Sequence, residues 1–236
     1  MAQGSNWLAL SGTVLRKPEL KQFKKLCVLQ VELGGTDHIL GTDGEPKALP
    51  WYHRVSVLGR AANYHQNLMR GDSVLVHGKL RYRQWTEEEE ARASLHIQAL
   101  KLWPILTGLR DEPFDVDSKG QKRLSAALNQ INIVGNLARP AEVTYAHSGE
   151  AVTSLKLAVS ETYRTREGRK AEATAFVDVE VWRELAEGCA LLARGAGLMV
   201  QGRLKRVSWR GDDERTHYKL VVEGFFVEIL EPPTKS

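Results

Sequence analysis

Residues 68–85, LMRGDSVLVHGKLRYRQW, and residues 191–209, LLARGAGLMVQGRLKRVSW, are two versions of one segment. Arg70 and Arg194, Gly71 and Gly195, Val76 and Val200, Gly78 and Gly202, Leu80 and Leu204, and Trp85 and Trp209 all stand 124 positions apart. The likeness extends in both directions. Upstream, NWLALSGTVLRKPEL from Asn6 matches NQINIVGNLARPAEV from Asn129 at a spacing of 123, and downstream Ile105-Leu106 returns as Ile229-Leu230 at 124. Solenoid repeats have units of roughly 20–50 residues, so a period this long marks a duplicated domain.

Each copy spans about 100 residues, a usual size for a domain with its own core. The expected organisation is an N-terminal domain over 1–106, a linker over 107–128 and a C-terminal domain over 129–236. The intervening TGLRDEPFDVDSKGQKRLSAAL carries four acids, four bases, a Pro and two Gly without sustained periodicity. That composition reads as a connector, with room for a short hairpin or helical turn at its end.

Composition narrows the function classes. No apolar run approaches the roughly 18 residues of a membrane span, and the N-terminus lacks a basic-then-apolar leader, so a soluble, cytoplasmic protein is expected. Cys27 and Cys189 fall one per copy at non-equivalent places and read as small buried hydrophobes. The seven histidines show no metal-ligand spacing, no Gly-rich phosphate loop follows a strand, and Gly34-Gly35 reads as a turn. No catalytic residue, metal or cofactor is therefore expected, and an enzyme has no motif to support it. The net charge of +4 lies within residues 1–106, while the linker and the second copy balance. This permits a nucleic-acid partner without requiring one.

Period-two alternation runs through both copies. Val55 and Val57 share a face with His53, leaving Tyr52, Arg54 and Ser56 on the other. In the second copy Val177, Val179 and Val181 make a core face, with Phe176, Asp178, Glu180 and Trp182 opposite. Half-buried strands normally place polar residues on that side, so two large aromatics there need an explanation, and stacking on bases is one. Lys79, Arg81, Arg83 and Trp85 alternate onto one face, as do Arg203, Lys205 and Trp209, with Val207 interrupting. Cations at a two-residue period ending in an indole suit single-stranded nucleic acid, the cations tracking phosphates and the ring stacking on bases. One such strand alone reads better as a solvated edge protected by its charges; its occurrence in both copies favours binding. Glu87 to Glu90 reads as a solvated hairpin tip.

Each copy carries one helical stretch, Arg60 to Met69 and Arg183 to Ala193, closed by Arg-Gly. Three strands, a helix and two strands is the order of a five-stranded OB barrel, whose helix lies between strands 3 and 4. The expected fold is all-β, two tandem OB barrels.

The runs INIVGNLARPAEVTYAHSGEAV (131–152), LKLAVSETYRT (155–165) and RGAGLMVQGRLK (194–205) closely resemble the bacterial single-stranded DNA-binding proteins, as do residues 15–20, 51–55 and 80–85 of the first copy. Two OB domains in one chain resembles the subtype that assembles four OB domains as a homodimer. The resemblance implies sequence-independent binding and protection of single-stranded DNA in replication, recombination and repair, near the nucleoid. Carried over residue by residue, it implies base stacking by Tyr52, Trp85, Tyr163, Phe176, Trp182 and Trp209. It likewise implies phosphate contacts by Arg54, Arg60, Arg70, Lys79, Arg81 and Arg83, and by Arg164, Arg194, Arg203 and Lys205. Leu58 replaces one stacking aromatic, the position matching Tyr163 falls near His38, and Asp178 and Glu184 stand where the first copy has Arg54 and Arg60. The first domain leans on charge and the second on stacking. Family members usually end in an acidic peptide with a terminal Phe that docks repair and replication partners; this sequence ends Glu231-Pro232-Pro233-Thr234-Lys235-Ser236, which implies no such recruitment, through truncation or as a specialised paralogue.

Two other readings share the same residues. An OB module for single-stranded RNA uses the same stacking chemistry, and an OB protein-interaction scaffold would turn the exposed aromatics into an interface.

Overall fold

The computed structural model describes residues 4–23, 26–41, 44–87, 90–106, 114–164, 167–211 and 214–230, with side chains throughout except at 85–87 and 90–92. The first copy contributes β1 (Ser5–Val14), β2 (Glu19–Phe23), β3 (Leu26–Leu40), β4 (Pro46–Leu58), α1 (Arg60–Tyr64), β5 (Ser73–Glu87) and β6 (Glu90–Leu106). The connector holds β7 (Phe114–Val116) and β8 (Lys122–Leu124). The second copy repeats the order as β9 (Asn129–Leu137), β10 (Glu142–Tyr145), β11 (Ala151–Arg164), β12 (Lys170–Trp182), α2 (Arg183–Cys189), β13 (Gly197–Arg210) and β14 (Thr216–Leu230). No described helix is long and apolar enough to cross a membrane.

The chain forms two compact units, one of Leu8–Leu80 with His96–Asn129 and the other of Met1–Trp7, Arg81–Leu95 and Gln130–Ser236. In the first, neighbouring strands run β1-β5-β6-β4-β3, and β1 closes on β3 through Thr13 opposite Gly34 and Val14 opposite Leu33. Leu8, Leu10, Leu29, Val31, Val55, Val74, Val76 and Ile97 fill the interior with no exposed surface. In the other, the order is β9-β13-β14-β12-β11, closed where Leu157 faces Leu137. Its interior holds Ile131, Ile133, Leu157, Val177, Val179, Val181, Leu198 and Val200, all fully buried. β2 and β10 are short arms laid on β3 and β11, so each barrel has five strands and its helix falls between the third and fourth, as an OB barrel requires.

Both helices are shorter than their expected spans. After Tyr64 the chain continues in tight turns, with Leu68 N–H donating to the His65 carbonyl, and after α2 Leu192 N–H donates to the Cys189 carbonyl. Gly71 and Gly195 consequently cap no helix. They take positive φ of 98° and 91°, and their N–H groups donate to the Val14 and Leu137 carbonyls, turning the chain into the next strand.

Gly34-Gly35 is likewise no turn. Both lie inside β3 opposite Tyr52 and Trp51, and a Cβ on Gly35 would stand 2.4 Å from Trp51 Cζ2 and 2.5 Å from Ala127 Cβ. The pair lets the strand pass close under a buried indole, the other use of glycine in a strand. Cys27 is half-exposed, against the expectation that both cysteines are buried; Cys189 is buried, and burial pushes its thiol pKa up.

The end of the connector is a hairpin. Val116 faces Lys122, Phe114 faces Leu124, and Leu124 pairs with Gly35 of β3. Leu124 and Ala127 are buried, and Ala127 N–H donates to the Thr36 carbonyl. Ser11 N–H donates to the Leu128 carbonyl, and its Oγ accepts from the Leu128 N–H. Apolar anchors at the end of a charged segment tie it to the sheet it follows.

Candidate nucleic-acid interface

The outer face of β12 carries Phe176, Asp178, Glu180 and Trp182, because the valines between them are committed to the core. β13 sets Arg203 and Lys205 on the same side. Arg203 donates to Glu223 Oε1 from Nη2 at 2.7 Å and from Nε at 3.2 Å. Lys205 Nζ lies 3.7 Å from Glu180, 3.6 Å from Glu223 and 5.8 Å from the centre of the Trp182 ring. Asp178 is matched by Lys156 at 3.5 Å and Lys219 at 3.6 Å. The acids that would repel DNA are thus covered by lysines, and the cations are held in place beside the aromatics.

The aromatic candidates of the second barrel are placed unequally. Trp209 is 46% exposed and stacks on its cross-strand partner His217 at 5.6 Å and 23°. Trp182 is half-buried at the start of α2, its Nε1 buried without a hydrogen-bond partner among the described residues. Phe176 is half-buried and packs in a T-shaped pair with Tyr82. Tyr163, 43% exposed, falls on the strand parity of buried Leu157 and Val159, not that of the residues facing Phe176. It sits on the arm of the β11–β12 hairpin beyond the last buried residue, with the Arg81 guanidinium 6.0 Å from its ring centre. Arg164 donates to the Gly168 carbonyl at 3.3 Å, and Arg194 is exposed.

On the first barrel Tyr52 points out of β4, but its hydroxyl is engaged. It accepts from Arg123 Nη1 at 2.6 Å and donates to Asp117 Oδ2 at 2.9 Å. Arg123, itself buried, also donates from Nε to Thr36 Oγ1 at 3.3 Å. Asp117 Oδ1 accepts from the N–H groups of Gln121 and Lys119, both at 2.8 Å. Burial holds the Tyr52 hydroxyl above its ordinary pKa. The Gln121 N–H, with Tyr52, the Lys119 N–H and Arg123, holds the Asp117 carboxyl below its own. Arg54 pairs with Glu32 at 2.7 Å, as does Arg16. Arg60, Arg70 and Arg83 are exposed, and Lys79 and Arg81 half-buried. The side chains of Trp85 and of Glu87 to Glu90 lie outside the described residues.

The family model for the single-strand binding protein family matches residues 5–103 and again 128–230. The chain belongs to this family. Among curated relatives, the single-stranded DNA-binding protein of Deinococcus radiodurans is 37% identical over 98% of this chain and 77% of its own. A single-stranded DNA-binding protein of Thermus thermophilus is 40% identical over 100% of this chain and 87% of its own. The crystal structure of the wild-type single-stranded DNA-binding protein from Thermus aquaticus superposes with a TM-score of 0.75 at 32% identity, covering 100% of this chain and 98% of that one.

Within this family member, some side chains on the candidate face escape a reading of the sequence. Lys156 stands directly across from Asp178, and Lys219 comes from β14. Off that face, on the strand parity of buried Leu204, Arg206 lies 3.8 Å from the centre of the Tyr218 ring. A cross-strand register would reveal Lys156, but one sequence does not supply it.

Proposed function

We propose that the chain binds single-stranded DNA without sequence preference and without catalysis, protecting it during replication, recombination and repair. The observation that carries this is the outer face of β12 and β13, where aromatic rings on non-core positions stand beside cations already fixed by carboxylates. Rings accept any base and cations follow any phosphate, so the arrangement favours no sequence. Stacking is assigned to Tyr52, Trp85, Tyr163, Phe176, Trp182 and Trp209. Phosphate contact is assigned to Arg54, Arg60, Arg70, Lys79, Arg81, Arg83, Arg164, Arg194, Arg203 and Lys205. The family matches at 5–103 and 128–230 support OB domains over 1–106 and 129–236 with a connector between.

A homodimer presenting four barrels, in the cytoplasm at the nucleoid, belongs to the same proposal. The relatives named for single-stranded DNA binding support the DNA-binding part of that proposal. Titrating the intrinsic Trp fluorescence with oligo-dT, oligo-U and duplex DNA tests the binding: quenching by oligo-dT ahead of both others is expected, and preference for oligo-U would place the protein among RNA binders. Light scattering at micromolar concentration should give twice the 26.4 kDa chain mass.

A further inference from the structure

We propose that Tyr82, from the first copy of the repeat, is a working part of the base-stacking surface built on β12 of the second. The inference rests on the single-strand binding proposed above. In the compact unit that joins Arg81–Leu95 to Gln130–Ser236, the Tyr82 ring stands 5.6 Å from Phe176 at 76°, edge to face. The preceding residue, Arg81, reaches the Tyr163 ring. Two consecutive residues of β5 therefore engage two of the aromatic candidates of the second copy.

The geometry has a chemical consequence. Edge-to-face rings are attracted through their quadrupoles, the positive edge of one meeting the negative face of the other. Such a pair fixes its partners' orientation and presents two perpendicular π surfaces, so a base lying flat on one ring meets the other edge-on. Tyr82 sits on the strand parity of Leu80, which is fully committed to the first core, yet it is itself half-exposed because β5 has by then run past that core. A core-parity aromatic that emerges from its barrel and settles on Phe176 has no stabilising task in its own interior.

The test uses the full-length chain and fluorescence polarisation of labelled oligo-dT, so that no tryptophan signal is involved. Tyr82→Ala is expected to weaken binding at least about fivefold, the lower end of what losing a stacking ring costs single-strand binders of this kind. Tyr82→Phe should bind like the parent. Tyr82→Leu, which keeps apolar packing without a π face, should stay weak at unchanged thermal stability. The double variant with Phe176→Ala should lose less than the product of the two single losses, because the two rings act on one base. Parental affinity in Tyr82→Ala, tighter binding as if a cover had been removed, or full rescue by Leu would each overturn the inference while leaving oligo-dT binding by the parent intact. No binding by the parent would instead refute the function on which it rests.

Discussion

Arg123 Nη1 donates to the Tyr52 hydroxyl at 2.6 Å, across 71 residues of sequence. The foremost aromatic of the first barrel's outer face is thereby held by the connector hairpin, with Asp117 on the other side of the same oxygen. A base that stacked on Tyr52 would meet a ring whose orientation is already set, and the charges around it belong to the connector as much as to β4.

The docking of that hairpin should respond to pH at both ends of the scale. The Asp117 carboxyl lies below its ordinary value of 3.8, so its contribution is complete above that pH and is lost as pH falls through the lower folded value. Tyr52 lies above its ordinary 10.0, so its contribution is complete below pH 10.0 and fades as pH rises through the raised value. Amide chemical shifts of residues 114–124 followed by NMR should be flat between about pH 5 and 9 and move outside that range. Asp117→Asn should abolish the acid limb and Tyr52→Phe the alkaline one. Unaltered limbs in both variants would assign the transitions elsewhere.

Trp209 and Trp182 should separate binding from stability. Removing a stacking ring costs about 1–3 kcal/mol of affinity in single-strand binders of this kind. Trp209→Ala, removing a ring that is 46% exposed, should show that loss against oligo-dT with its melting temperature nearly unchanged. Trp182→Ala should show a similar loss of affinity together with some destabilisation, since its half-buried ring packs at the start of α2. Parental affinity in both variants would refute the stacking assignment.

Two glycines predict stability changes of opposite sign. A Cβ at Gly35 would press on Trp51 and Ala127, so Gly35→Ala should cost about 1–3 kcal/mol through overpacking. Gly188 lies within α2 with nothing within 4 Å of an added Cβ, and Gly188→Ala should stabilise by about 0.5–1 kcal/mol through helix propensity. Urea denaturation of the two variants checks both, and like signs would contradict the packing described.

The duplication, the barrel order and the core faces were legible because each depends on local spacing: alternating valines at 177, 179 and 181 point to one interior whatever surrounds them. Helix ends were less so, since the turns after Tyr64 and Cys189 use the same residues a longer helix would. Contacts between distant segments left no trace. Gly34-Gly35 looks like a turn until Trp51 is placed above it, and the charged connector looks solvated until Leu124 pairs beside β3. The resemblance implies stacking by Tyr163, whereas its parity is that of Leu157 and not of the residue facing Phe176, and its position along β11 sets it on the hairpin arm.

The carboxylates of the second face should set how its cations respond to salt. Glu223 accepts from Nε and Nη2 of Arg203 and stands 3.6 Å from Lys205, so these cations are largely neutralised before DNA arrives. A phosphate that binds them must displace a carboxylate and releases fewer condensed ions than one meeting a free cation. For single strands the logarithm of affinity falls against the logarithm of salt with a slope of roughly −0.7 per neutralised phosphate. Glu223→Gln keeps the shape of the side chain and removes its charge. It should strengthen oligo-dT binding at low salt and steepen the slope by about 0.7 for the Arg203 charge that Glu223 no longer matches, Lys205 remaining paired with Glu180. Arg203 is only 17% exposed, so the variant should also lose some thermal stability as this partly buried charge loses the Glu223 carboxylate. Arg54→Gln, on the first barrel, removes a far more exposed cation and should make the slope shallower. Oligo-dT titrations of the full-length variants across a salt series decide the matter: an unchanged slope in Glu223→Gln would mean that Arg203 serves the sheet and does not touch phosphate.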